Sequence, residues 1–201
     1  PARIPSSVRA RNIVCQHNLL ALVAYTPRKQ RSMRTPDEVK AFEQLYRSYS
    51  DDVFRFLLYL SGNWPLAQDL ASETFVRAWT ATVPIKISTA KAYLFTIARN
   101  LYLSHLRQRR TEIDLPAGLA ATGNQATSYE RYSELAETLE DLKGIAEGDR
   151  AAFVMAVIEE TSYDEVSRSL GISVGAVKGR VFRARMRLTE LREQRTLRST
   201  L

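Results

Sequence analysis

The sequence predicts an all-α fold in two helical units joined by a tether, and three observations predict it. After Thr35 the apolar residues recur at spacings of three and four, with no sustained alternation of period two. Glycine and proline collect between the periodic segments and stay largely out of them. Between residues 111 and 127 the period lapses altogether, in a stretch holding Pro116, Gly118, Gly123 and Asn124 that reads as a flexible linker. With 201 residues and 45% hydrophobic composition, the chain has enough apolar material to bury a real core.

The elements follow in order. Residues 1–34 read as a loose N-terminal extension: the sequence opens with Pro1 and its periodic part begins only after Met33. Thr35-Pro36-Asp37-Glu38 is a helix start, with a capping hydroxyl, a proline in the first turn and acids near the positive end of the dipole. The first helix is expected over about residues 36–49. A second apolar segment, 53–60, stops at Ser61-Gly62-Asn63, and Trp64-Pro65 restarts the chain into a helix ending near residue 80. A loop over 81–89 holds Pro84 and leads into a long helix from residue 90 to about 109. Helical pattern resumes at Tyr129, interrupted at Gly144, at Glu147-Gly148-Asp149 and at Gly171-Ile172-Ser173. The chain thus divides into an extension (1–34), a first unit (35–110), a linker (111–128) and a second unit (129–201).

Charge narrows the function classes. A formal net charge of +7 favours a polyanionic partner, nucleic acid or an anionic membrane surface. No stretch approaches the roughly 20 apolar residues that span a bilayer, the longest candidate being residues 19–25, so no membrane insertion is expected. The single Cys15 forms no internal disulfide, and a reducing cytoplasm is the expected compartment. His17 and His105 supply too little for a transition-metal site, and His105 reads as a helix-face residue. No cofactor is expected.

The most telling constellation lies near the C-terminus. Residues 162–170 form a short helix ended by Gly171, whose missing Cβ suits a left-handed cap. A second helix, capped by Ser173, follows at once. Its Val177, Val181, Ala184, Leu188 and Leu191 make one apolar stripe, so the pair is a helix-turn-helix. Off the stripe, Lys178, Phe182 and Arg185 fall on one flank, Gly179 and Arg183 on the far side, and Arg180 and Arg187 on the other flank. Arginine runs usually mean a solvated helix end. Phe182 argues otherwise, because a phenylalanine outside the apolar stripe needs a partner surface, and a major groove accepts such a helix.

The first unit carries two further patterns. Ala67, Leu70, Ala71, Thr74, Phe75 and Ala78 share one helix face, while Asp69, Glu73 and Arg77 line another at four-residue steps. Such spaced charges by themselves mean a solvated face whose pairing is worth about 0.2–0.5 kcal/mol. In the next helix Leu94, Ile97, Ala98, Leu101 and His105 should face the core, and Tyr93, Thr96, Asn100, Leu103 and Arg107 form a second stripe. An aromatic ring and an amide on a basic helix suit unpaired DNA, the ring stacking on bases and the amide bonding their edges; for Tyr93 alone, core packing is an equally good reading.

Residues 162–188, SYDEVSRSLGISVGAVKGRVFRARMRL, closely resemble region 4 of extracytoplasmic-function sigma factors, and LAQDLASETFVRAW (66–79) resembles their region 2. The resemblance covers about residues 42–110 and 139–192. It implies a non-catalytic bacterial transcription initiation factor that binds core RNA polymerase and directs it to promoter DNA. By the match, Lys178, Gly179, Phe182 and Arg183 sit where the family reads the minus-35 element, with Arg180 and Arg185 on phosphates. Asp69, Ser72, Glu73 and Arg77 would dock on the clamp helices of the polymerase largest subunit, with the flap a further contact. Asn100 would line a pocket for a flipped minus-10 base, closed over by Val83, Pro84, Ile85, Lys86, Ile87 and Ser88. The resemblance also implies an anti-sigma factor as a partner that covers these surfaces. Three positions depart from the family pattern: Ala176 and Gly179 stand where Thr and Ser are usual, and Ser72 replaces a common Gln.

Two other readings compete. A one-component helix-turn-helix regulator would use residues 162–188 but has no reason to carry ETFVRAW and IARN together in its first half. An enzyme would need a constellation that the sequence lacks: there is no GxxxxGK[ST], HExxH or G-x-S-x-G, and Cys15-x-His17 is a weak pair in the extension.

Overall fold

The structure is a computed structural model and describes residues 35–81, 89–113 and 133–199. Among the described residues it is all-helical. The first unit comprises α1 (Pro36–Ser61), α2 (Trp64–Thr80) and α3 (Ala90–Ile113). The second comprises α4 (Ser133–Lys143), α5 (Glu147–Phe153), a π-helical segment (Val154–Ile158), α6 (Tyr163–Leu170) and α7 (Val174–Ser199).

Helix starts and stops obey local chemistry. Thr35 and Glu38 form a reciprocal capping box: the Thr35 hydroxyl accepts from the Glu38 N–H, and the Glu38 carboxylate accepts from the Thr35 N–H. The segments expected separately at 36–49 and 53–60 are one continuous helix. Nothing between them breaks it: Ser50 is buried inside and Asp52 finds cationic partners, so propensity for a cap yields to packing. Gly62, at φ 61°, ends α1 and donates its N–H to the Leu58 carbonyl at 2.8 Å. Asn63 then caps α2 by accepting from the Leu66 N–H at 2.9 Å. Ser162 and Glu165 repeat the capping box at α6, and Gly171 at φ 64° ends it.

Three boundaries differ from the sequence expectation. Helix α3 continues four residues past 109, to Ile113. Glu147-Gly148-Asp149 is no interruption: it forms the first turn of α5, where its two acids sit favourably at the positive end of the helix. The π-helical segment departs from the plain helical period that the sequence carries there. There the Glu159 N–H reaches back five residues to the Val154 carbonyl at 2.9 Å, and the chain leaves through Glu160 at φ 51°. Resumption at Tyr129, the body of the expected linker and the loop 82–88 lie outside the described residues.

The core of the first unit is aromatic. Phe42 packs on Trp79 with centroids 4.6 Å apart, Tyr46 meets Phe75 edge-on at 4.7 Å, and Phe56 stacks on Phe95 at 4.5 Å. Pairs of this kind add about 0.5–1.5 kcal/mol each beyond the area they bury. The second unit packs against the first, and a single contiguous core includes buried residues from both. Helix α6 lies along α3, where the Ser169 hydroxyl donates to the Ala92 carbonyl at 3.0 Å.

Ion pairs close the seam between the units. Glu159, with its side chain 1% exposed, accepts from Arg55 Nε and Nη2 at 3.1 Å each and pairs with Lys91 Nζ at 3.1 Å. Asp52 joins both cations, at 2.6 Å from Arg55 and 2.9 Å from Lys91. Arg99 grips Glu147 through two bonds of 2.8 Å. Burial pulls the Arg55 guanidinium pKa down, but its hydrogen bond to Glu159 and the charges of Glu159 and Asp52 more than offset this, so it rises on balance.

Candidate functional site

Three surfaces hold the residues singled out by the sequence. On α2 the expected division holds: Ala67, Leu70, Ala71, Thr74, Phe75 and Ala78 are buried, while Asp69, Glu73 and Arg77 are exposed. Buried Thr74 satisfies its hydroxyl by donating to the Leu70 carbonyl at 2.7 Å. Glu73 accepts from Arg77 Nε and Nη2 at 3.1 and 2.7 Å. Ser72 is half-buried, and its hydroxyl donates to the Gln68 carbonyl at 3.0 Å. The α2 surface is therefore a short exposed row with two carboxylates.

On α3 the second stripe keeps Asn100 and Arg107 exposed and Tyr93, Thr96 and Leu103 half-buried. The Thr96 hydroxyl is turned back to the Ala92 carbonyl at 2.8 Å. Tyr93 is thus neither a core residue nor a fully presented ring. The loop residues Val83, Pro84, Ile85, Lys86, Ile87 and Ser88 lie outside the described residues. The core face holds in part: Leu94, Ala98 and Leu101 are buried, whereas Ile97 and His105 are only half-buried. Phe95 and Tyr102, which lie off the expected core face, are also buried. They belong to a third face, with Ala92 and Arg99, that the second unit and α1 cover. Among the described residues no group of His, Cys, Asp and Glu is arranged to hold a metal ion.

On the second unit, α6 and α7 form the expected helix-turn-helix. Ser173 caps α7 by accepting from the Ala176 N–H at 3.2 Å, and Val177, Val181 and Ala184 are buried. Lys178, Phe182 and Arg185 point outward, with Phe182 64% exposed and Met186 beside it 48% exposed. The helix carries eight Lys or Arg against two Glu, so its exposed surface is cationic.

The arginines of α7 are not alike. Arg180 is half-buried and donates to the Gly148 carbonyl at 3.3 Å; a Cβ on Gly148 would sit 2.5 Å from its Nη1. Arg187 donates to the Gly144 carbonyl at 3.3 Å. Arg183 holds the Asp149 carboxylate with Nε at 2.9 Å and Nη2 at 2.8 Å. That hydrogen bond and charge push the Arg183 pKa up. A cleft of roughly 390 Å³ separates the 144–149 turn from α7, lined by Phe182 and Met186 among others. Sequence reasoning missed these tethers, since Asp149 is 34 residues from Arg183 and no local spacing links them.

The comparisons bear on both units. The family model described as Sigma-70 region 2 matches residues 45–112, and that described as Sigma-70, region 4 matches residues 142–188. Over 152 residues the chain is 32% identical to the ECF RNA polymerase sigma factor SigM of Bacillus subtilis, covering 74% of this chain and 93% of that one. It is 34% identical over 138 residues to the ECF RNA polymerase sigma factor EcfG of Rhodopseudomonas palustris, covering 68% and 76%. Among solved structures it resembles the sigma factor RpoE from Bartonella quintana, in complex with the anti-sigma factor NepR, at TM-score 0.61 and 28% identity over 77% of this chain and 98% of that one. A one-component regulator has no use for the first of the two family matches.

Proposed function

Since this chain belongs to the extracytoplasmic-function sigma factors, and as such directs promoter-specific initiation with core RNA polymerase and promoter DNA as partners, we propose a division of that work among its three surfaces. Residues 35–110 form the unit that binds the polymerase and opens DNA. Asp69 and Glu73, with Arg77 and Ser72 beside them, dock on basic residues of the polymerase clamp helices. Asn100 and the flanking Tyr93, Thr96, Leu103 and Arg107 take the unpaired minus-10 strand, with residues 83–88 closing over the flipped base. Residues 129–201 read the minus-35 element: Lys178, Gly179, Phe182 and Arg183 meet base edges, while Arg180 and Arg185 strengthen phosphate contact. The polymerase flap and an anti-sigma factor are further partners of this reading, and the compartment is the bacterial cytoplasm, where polymerase and DNA are found.

One observation carries the division most strongly: the exposed carboxylate row sits on α2, whereas α7 presents a cationic face around an exposed Phe182. A clamp surface and a DNA groove ask for opposite charges. Reversing Asp69 and Glu73 to Lys tests it. Affinity for core polymerase should fall at least about tenfold while circular dichroism stays unchanged, a loss consistent with removing two charge contacts and adding repulsion. Unchanged core affinity in the double variant would remove α2 from the polymerase interface.

A further inference from the structure

Arg183 is gripped through both oxygens of a carboxylate and is still presented to solvent. Its side chain is 60% exposed, while the Asp149 carboxylate it grips is only 16% exposed and anchored in the first turn of α5. The grip is side-on, using the Nε hydrogen and one hydrogen of Nη2. A guanidinium has five N–H donors, so one hydrogen of Nη1 and the second of Nη2 remain as its end-on edge, the other Nη1 hydrogen pointing back toward Cδ. That edge is the fork that matches the O6 and N7 acceptors of guanine in the major groove. Nη1 also lies 3.6 Å from where a Cβ on Gly179 would sit, an ordinary van der Waals distance, so the side chain runs back along α7 over Gly179.

We propose that Asp149 is a positioning residue for promoter reading: it fixes the Arg183 guanidinium by one edge so that the other edge meets a guanine of the minus-35 element. This rests on Arg183 being a base reader. The physical gain is twofold. A long, freely rotating side chain is ordered before DNA arrives, so less freedom is lost on binding. The carboxylate also weakens the attraction of Arg183 for any phosphate, which acts in every sequence, relative to a bidentate base contact, which acts in one.

The test is a selection of randomised minus-35 sequences by holoenzyme assembled from core polymerase and the full chain, as wild type, Asp149→Ala, Asp149→Glu, Arg183→Ala and the Asp149→Ala/Arg183→Ala pair. Arg183→Ala should abolish a guanine preference at one position. Asp149→Ala should cut the same preference at the same position by at least about fivefold, the lower end of what one bidentate base contact supplies. It should also steepen the dependence of duplex affinity on salt by up to about one unit of log slope, as the freed guanidinium turns to a phosphate. Asp149→Glu should restore part of the preference, and the pair should match Arg183→Ala alone. Circular dichroism and core binding on each variant separate these effects from unfolding, and Asp149→Asn replaces the alanine variant if the fold is lost. Full guanine preference in Asp149→Ala, at the position lost in Arg183→Ala, would overturn the inference and leave the base-reading role standing. No change at any position in Arg183→Ala would overturn the base-reading role, and the inference with it.

Discussion

Glu159 and Asp149 are two carboxylates of the same helical unit, each gripped through both oxygens by an arginine, and they end in opposite settings. Glu159 is 1% exposed and takes two cations from the other unit, whereas the arginine on Asp149 is 60% exposed. The chemistry is the same and burial separates the outcomes. A desolvated carboxylate must keep its partners or leave a charge stranded in the protein interior, so the Glu159 set fastens the seam. A pair that is wet on one side is screened and adds little to stability, so the Arg183 pair is free to serve DNA. Salt should tell them apart, acting on the exposed pair far more than on the buried set.

The contrast is broken most severely by stranding the buried charge. Replacing Arg55 and Lys91 together with methionine leaves Glu159 without its cations, and unfolding free energy should drop by about 3 kcal/mol or more in chemical denaturation. A loss below about 1 kcal/mol would mean that the seam is not closed by these groups. Glu159→Gln should cost less, about 1–2 kcal/mol, because the cations it leaves behind are partly exposed and still have Asp52. The order of these two effects is the informative result: an equal cost would assign the stability to geometry and not to burial of charge.

Next in size is a gain. Glu160 follows Glu159 at φ 51°, in the left-handed region that costs a non-glycine residue roughly 1–2 kcal/mol, and its side chain is exposed. Glu160→Gly relieves that strain against a glycine entropy cost of about 0.5–1 kcal/mol, so thermal unfolding should show a net gain of about 0.5–1 kcal/mol. Smallest is the exposed pair on α2. Removing Glu73 and Arg77 together should change stability by about 0.5 kcal/mol or less, although the same row is assigned to the polymerase.

The sequence was most legible where structure is local. Thr35, Gly62, Asn63, Gly171 and Ser173 could each be placed from the chemistry of helix ends, and the helix-turn-helix followed from Gly171 and a four-three stripe of apolar residues. It was least legible where one element serves two neighbours. A period of 3.6 residues assigns a helix one buried face, but α3 is covered on two sides. Phe95, Arg99 and Tyr102 lie outside the face that the period assigns to the core: Phe95 stacks on Phe56 of α1, and Arg99 and Tyr102 meet a unit that starts many residues later. The same limit hid the Arg183–Asp149 pair and the continuity of α1 through Ser50. The π-helical segment had no signal in local propensity, which carries no term for a fifth-residue hydrogen bond.

The most direct measurement of the divided promoter work is run-off transcription by holoenzymes carrying Asn100→Ala or Arg183→Ala, on one promoter as full duplex and with its minus-10 segment already mismatched. Extruding a base costs about a few kcal/mol, which a pocket without its amide repays less well. Pre-melted DNA removes that cost, so the account predicts that Asn100→Ala is defective on duplex and largely restored on the mismatched template. Arg183→Ala should stay defective on both and respond only when the minus-35 sequence is changed. Restoration of both variants by the mismatch, or of neither, would contradict the assignment of opening to α3 and of selection to α7.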